Sequence, residues 1–301
     1  MKELIYLQLM MFSLIVIGLF LKKKGIVGKT GQKSITDLVI DVILPCNILR
    51  SFMVEFSMGI VKNFAGIFII SILIQIFCVI LGNVLFKRTS ESRKKCLRYA
   101  TICSNAGFMG NPVAEGVFGS MGLILASIYL IPQRVMMWSE GIAVFTDAPD
   151  KKTLVKKVMT HPCIIACGAG IVLMITGWRP LVFLEDAITS LSNCNTALSM
   201  MVIGMILADA DPRTICDKDV VCYTILRLLI LPFIVWVPCR LWGADHLVGG
   251  VSVLLAAMPA GATTSILASK YNGDAEFAVK LVVFSTAVSL LTTPVWSMLL
   301  V

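Results

Sequence analysis

Ser104-Asn105-Ala106-Gly107-Phe108-Met109-Gly110-Asn111-Pro112 and Leu254-Leu255-Ala256-Ala257-Met258-Pro259-Ala260-Gly261-Ala262-Thr263-Thr264 are two stretches of one kind. Each sets a proline, with glycine nearby, deep inside an apolar run. Proline removes a backbone donor, and its ring clashes with the carbonyl four residues earlier, here Phe108 and Leu255. It also disfavours the helical region for the preceding residue, Asn111 or Met258. Backbone left unpaired at membrane depth is tolerated only where it is buried in protein or lines a wet cavity. Half-helix ends at that depth can hold ions or anionic groups. A plain kink accounts for either proline alone. Pro112 and Pro259 stand at matching places, about half the chain apart, and together predict two broken helices that cross.

The surrounding sequence is that of a membrane protein. Apolar residues make up 57% of the 301 residues and charged residues 15%, against roughly 25% charged in a soluble domain. Mean hydropathy is +0.89. A span needs about 20 apolar residues. Ten candidate spans lie near Leu4–Leu21, Ile35–Val54, Phe64–Phe86, Leu97–Phe118, Leu123–Phe145, Cys163–Trp178, Ala187–Ala208, Val220–Leu241, Leu247–Lys270 and Phe277–Leu300. The runs lack the period-2 alternation of a barrel. Basic residues, rather than a small-residue cleavage site, follow Leu4–Leu21, so this segment is expected to stay as a helix.

Loops after odd-numbered spans carry Lys22, Lys23, Lys24, Lys29 and Lys33, then Lys87, Arg88, Arg93, Lys94, Lys95 and Arg98. They continue with Lys151, Lys152, Lys156, Lys157, Arg213, Lys218 and Lys270. The other side has Lys2, Lys62, Arg179 and Arg240. The positive-inside rule puts both termini outside, and accounts for the net charge of +8 without any nucleic-acid partner. Residues 1–146 hold five spans and 152–301 five more. An odd number per half makes the halves antiparallel, a 5+5 inverted repeat. The expected fold is all-α, an integral membrane protein of ten transmembrane helices with broken crossover helices.

Ionisable residues inside spans are costly and are functional candidates by default. Arg134, near the centre of span five, can hold a carboxylate through two parallel hydrogen bonds. Its structural alternative is an ion pair with Glu115, Glu140 or Asp41. Asn105 and Asn111 can both donate and accept at the break; the alternative is glue between helices. Thr263 and Thr264 offer hydroxyls after the second break, or bond back to their own helix. Asp37 and Asp41, one turn apart, could relay protons, but capping and solvated pairing with the basic first loop are the better reading; Glu276 and Lys280 read as an i,i+4 pair. Arg227 in span eight has no partner that the sequence names. Asn47, Asn193 and Asn195 are candidates for a face opposite the crossing. The ten cysteines are scattered, with no Cys-x-x-Cys pair. Cys163, Cys167 and His161 hint at metal, but no further cluster completes a site, and small core residues are the better reading.

The same two stretches resemble the auxin efflux carrier family, which includes the plant PIN carriers and bacterial members regarded as malonate or malate permeases. The matching residues run from Ser104 to Glu115 with Phe118-Gly119, and from Ala256 to Gly261 with Leu267-Ala268, Tyr271 and Asn272-Gly273-Asp274. Ser285-Thr286, Ser289-Leu290 and Leu44-Pro45 also fit, so the resemblance spans the chain. It implies a fold similar to bile-acid sodium symporters and sodium/proton antiporters. A scaffold of spans one, two, six and seven would hold a moving unit of spans three, four, five, eight, nine and ten. The carboxylate would sit where spans four and nine cross. Family members typically carry an uncharged polar residue, often asparagine, in mid-span five; this chain has Gln133-Arg134. Plant members have a long central loop. Here Thr146–Thr160 is short, so auxin is not the expected cargo.

These readings converge on a carrier of a small organic anion, such as a mono- or dicarboxylate, in the plasma membrane. The expected binding residues are Asn105, Asn111, Pro112, Arg134, Met258, Pro259, Thr263 and Thr264, with no metal and no cofactor. Coupling to a proton or sodium ion and a homodimeric assembly stay open. A cation-coupled antiporter or symporter of related fold is the alternative, but it would want aspartates at the crossing, where none stand. Gly-x-Ser-x-Gly, His-Glu-x-x-His and facing catalytic aspartates are absent from the sequence, which argues against an intramembrane enzyme.

Overall fold

A computed structural model of the chain describes residues 2–53, 58–87, 89–145, 151–208, 216–271 and 273–301. Arg88, Arg213 and Asn272 lie outside the described residues. Among those described, the secondary structure is helical apart from a single backbone bridge. By length and composition alone, five helical stretches among the described residues could cross a membrane: Val61–Leu85, Ala106–Met137, which turns back at Gly119, Val182–Ala208, Lys218–Leu241 and Ala275–Leu300. Pro162–Thr176 and His246–Ala256 are apolar but shorter.

Three helices share a device that follows from proline chemistry. Val39–Ile43, Ala106–Gly110 and Leu226–Ile230 are wide π-turns, and the next two residues are Leu44-Pro45, Asn111-Pro112 and Leu231-Pro232. The wide turn lets the residue before each proline bond five residues back. Leu44 reaches the Val39 carbonyl, Asn111 that of Ala106 and Leu231 that of Leu226. The helix therefore continues through the proline instead of breaking. The carbonyl four residues before Pro232, that of Leu228, takes a 2.8 Å bond from Trp296 Nε1 instead.

The true breaks lie elsewhere. Helix Glu91–Ile102 ends at Cys103, whose backbone is extended (φ −111°, ψ 96°), and Asn105 precedes the π-turn. Pro112 therefore sits in the first turn of the following helix. Asn111, expected outside the helical region, is helical (φ −59°, ψ −52°). The second break fits the sequence reading: helix His246–Ala256 ends ahead of Met258-Pro259, and helix Thr263–Lys270 resumes.

After each break the chain folds into a helical hairpin. At Gly119 (φ 66°, ψ −160°) the helix Asn111–Trp138 reverses direction. An ideal Cβ on Gly122 would fall 2.3 Å from the Ala114 carbonyl oxygen, although eight residues of straight helix span about 12 Å. Gln133 consequently returns beside Ser104. In the second case the turn after Lys270 brings Ser285 back beside Ala260.

Elsewhere, glycines allow backbone-close packing. Gly18 lies against Met201 and Gly204 against Ile15, where added Cβ atoms would come within 2.1 and 2.0 Å of carbonyl oxygens. Small residues at helix contacts serve this purpose in lipid. At the basic-loop end, Arg93 bonds Asp217 at 3.0 Å and Asp219 at 3.4 Å, and Asp274 lies 3.6 Å away. Asp217 and Asp274 also cap the helices Lys218–Ile225 and Ala275–Leu300, so one guanidinium ties three helix starts together.

Candidate functional site

The two breaks, far apart in sequence, meet. Ser104 and Ala260 form an antiparallel bridge. The Asn105 N–H donates to the Pro259 carbonyl at 2.8 Å, and the Gly261 N–H donates to the Cys103 carbonyl at 3.0 Å. Each broken strand thus satisfies backbone groups of the other, as buried backbone requires. Gly261 is needed for this approach, since a Cβ there would lie 3.0 Å from the Cys103 oxygen and 3.2 Å from that of Ser104.

Two cations stand on opposite sides of this crossing. Arg227 is 3% exposed. Its Nε donates to the Met258 carbonyl at 2.9 Å and its Nη1 to the Thr101 carbonyl at 3.1 Å. Those carbonyls belong to the C-terminal ends of the two helices that stop at the crossing. Tyr223 adds a 2.8 Å bond to the Ala100 carbonyl. Arg134, 9% exposed, faces the side where the helices restart. Its Nη1 lies 2.9 and 3.0 Å from the two ring nitrogens of His161. His161 Nδ1 also accepts from the Cys163 N–H at 3.3 Å, capping helix Pro162–Thr176. None of the ion pairs formed by the described residues includes Arg134 or Arg227.

A cavity of about 120 Å³ opens beside Arg134. Its wall combines Ser104, Asn105, Gly107 and Phe108 from the first restart with Gly261, Ala262 and Thr263 from the second. Leu130, Gln133, Arg134 and Met137 come from the returning hairpin arm, and Ile40, Leu44, His161 and Cys163 from two further helices. Gln133 holds the arm in place: its Nε2 donates to the Ser104 carbonyl at 2.9 Å, while Ser104 Oγ donates to its Oε1 at 3.2 Å. Two helix N-terminal ends and a guanidinium on one small cavity create a positive potential suited to an anion.

Of the expected site residues, the cavity gathers Asn105, Arg134 and Thr263. Pro259 and Met258 serve the crossing through their carbonyls. Thr264 is buried with its hydroxyl unpartnered. Asn111 is 0% exposed, and neither of its amide atoms has a partner. Asn47 instead donates to Glu115 at 3.1 Å in a second cavity, about 340 Å³, with Arg50, Ser120, Arg179 and Glu185. Asn193 accepts from Arg50 at 2.8 Å, and Asn195 accepts from Ser199. The second cavity lies toward the opposite end of the helices from His161. Leu44 and Asn47, one turn apart, line different cavities, as do Phe108 and Glu115. Asn111 is between those last two in sequence. Lys280 and Glu276 pair at 2.6 Å near the start of the last helix. The contributions of His161 and of the Arg227 carbonyl bonds were missed in the sequence; a histidine directly before the Pro162 helix start was the available sign.

A family model described as "membrane transport protein" matches residues 5–157 and 148–297. The chain belongs to this membrane transport protein family. The resemblance to auxin efflux carriers read from the sequence is thereby shown. An uncharacterised transporter of Methanothermobacter thermautotrophicus is 26% identical over 294 residues, 95% of each chain. One of Methanocaldococcus jannaschii is 24% identical over 302 residues, 97% of each chain. The protein is a multi-pass membrane transporter, not an enzyme.

Proposed function

We propose that this transporter is a secondary carrier of a small organic carboxylate, bound at the crossing of the two broken helices. The observation that carries the reading is the meeting of both breaks beside one cavity that holds Arg134 and two helix N-terminal ends. A carboxylate there would take the guanidinium fork from His161, and Asn105 and Thr263 would complete its hydrogen bonds. His161 as a neutral acceptor is a partner that a carboxylate readily outcompetes.

The mechanism we propose is an elevator. Ten spans form two inverted five-helix repeats, 1–146 and 152–301. Spans one, two, six and seven are the scaffold, and spans three, four, five, eight, nine and ten carry the site. Both termini face the outside of the plasma membrane. The two cavities toward opposite ends support alternating access. A cation-coupled antiporter is the weaker reading, because no aspartate stands at the crossing. Titration calorimetry on the purified protein tests the binding claim. Saturable binding of malonate, malate, oxalate or a monocarboxylate is expected, with neutral amides of the same acids inert. Equal binding of acid and amide would remove the carboxylate from the proposal.

A further inference from the structure

We infer that Arg227 occupies, as part of the protein, the place where a carrier of this architecture would otherwise hold a coupling metal cation, so that carboxylate transport proceeds without sodium. The inference rests on the carboxylate reading and adds the coupling class to it. Where helices stop at mid-membrane, their C-terminal ends leave carbonyls with partial negative charge and no intrahelical donor. Discontinuous-helix carriers can satisfy such carbonyls with sodium, whose ligands are unwound backbone oxygens and half-helix C-terminal ends. Here both ends are already served. The guanidinium gives one bond to the Met258 carbonyl and one to the Thr101 carbonyl, 2.9 and 3.1 Å away. Thr101 is in the last turn of one stopping helix, and Met258 comes one residue beyond the end of the other, after the C-cap Ala257.

The side chain is buried, and none of the ion pairs formed by the described residues involves it. The helix ends are therefore its counter-charge. A second cation at the same oxygens would meet a fixed positive charge in a low-dielectric setting, where repulsion between like charges a few ångströms apart is screened far less than in water. An arginine does not leave with the substrate, so the charge that sodium would carry across stays in the membrane.

The test uses the full-length protein. Counterflow of labelled malonate into proteoliposomes is compared in sodium, potassium and choline chloride at one pH and ionic strength, and the melting temperature in detergent is titrated with the same salts. Wild type should give counterflow rates equal within about twofold and no saturable sodium-specific shift in melting temperature. Arg227→Lys, which keeps the charge, should stay indifferent to sodium. Arg227→Met strands the two carbonyls and should either acquire a saturable sodium response or lose transport. Sodium-dependent counterflow or sodium-specific stabilisation of the wild type would overturn the inference. Full, sodium-indifferent transport by Arg227→Met would do so too. If Arg227→Met does not fold, the wild type and Arg227→Lys still decide. Absence of counterflow in every salt for malonate, malate, oxalate and monocarboxylates alike would count against the carboxylate reading instead, and the melting titration would still test Arg227.

Discussion

At the scale of single residues, Arg134 shows what a buried cation needs. A guanidinium near the bilayer centre costs about 2.5–3.5 kcal/mol on insertion scales, so something must offset it. The Arg134 contact is the His161 ring, and no carboxylate pairs with it among the described residues. Arg134→Ala therefore strands no buried anion, and the fold should hold. Carboxylate affinity should fall by about tenfold to a hundredfold, the weight of hydrogen bonds to a charged group. Arg134→Lys keeps the charge but loses the planar fork, and should bind weakly with an unchanged melting temperature. Calorimetry and thermal melts on the three proteins check both claims; unaltered affinity in Arg134→Ala would remove it from the site. The sequence made Arg134 legible because an ionisable residue in an apolar run stands out. His161 was not legible as its neighbour, because that pairing comes from packing between two helices and has no local signature. The same holds for Arg227, whose partners are backbone carbonyls and carry no residue identity at all.

At the scale of elements, the prolines separate what a sequence reveals from what it conceals. Both interruptions were legible, but Pro112 marks a π-turn rather than the break, which lies upstream at Cys103–Asn105. A wide turn absorbs the missing donor, and sequence alone does not tell absorption from rupture. Pro112→Ala lets that turn tighten to an ordinary helix, one residue fewer, rotating the preceding segment by about 100°. Pro259→Ala frees the second strand to regain helical backbone and pull away from Asn105. Both variants should fold and transport more slowly; native rates in both would show that neither device matters. Gly119 gives a sharper stability test. Its φ of 66° and ψ of −160° belong to a region that is essentially glycine's alone. Gly119→Ala should destabilise the protein by about 1–3 kcal/mol, read as a lower melting temperature. A β-carbon there meets no neighbour within 4 Å, so the cost is backbone strain and not a clash.

At the scale of the whole molecule, composition and apolar run length made the membrane class legible, and the boundary between spans four and five fell close to the Gly119 reversal. The crossing itself needed coordinates, because a backbone bridge between Ser104 and Ala260 is specified by tertiary fit. The charge bias of the loops predicts the orientation: a cysteine at Ser92 should be shielded from an impermeant maleimide in intact cells, and one at Leu181 should react. Reversal of that pattern would invert the topology. The central claim, a carrier whose cargo is a small carboxylate, is met most directly by counterflow. Proteoliposomes loaded with unlabelled malonate are diluted into trace labelled malonate, so that no ion gradient drives uptake. The account predicts transient, saturable accumulation of label that competing small carboxylates suppress and neutral amides do not, and that Arg134→Ala sharply reduces. Contradiction would be the absence of accumulation for malonate, malate, oxalate and monocarboxylates alike from protein shown to be folded, or accumulation that the amides suppress as well as the acids.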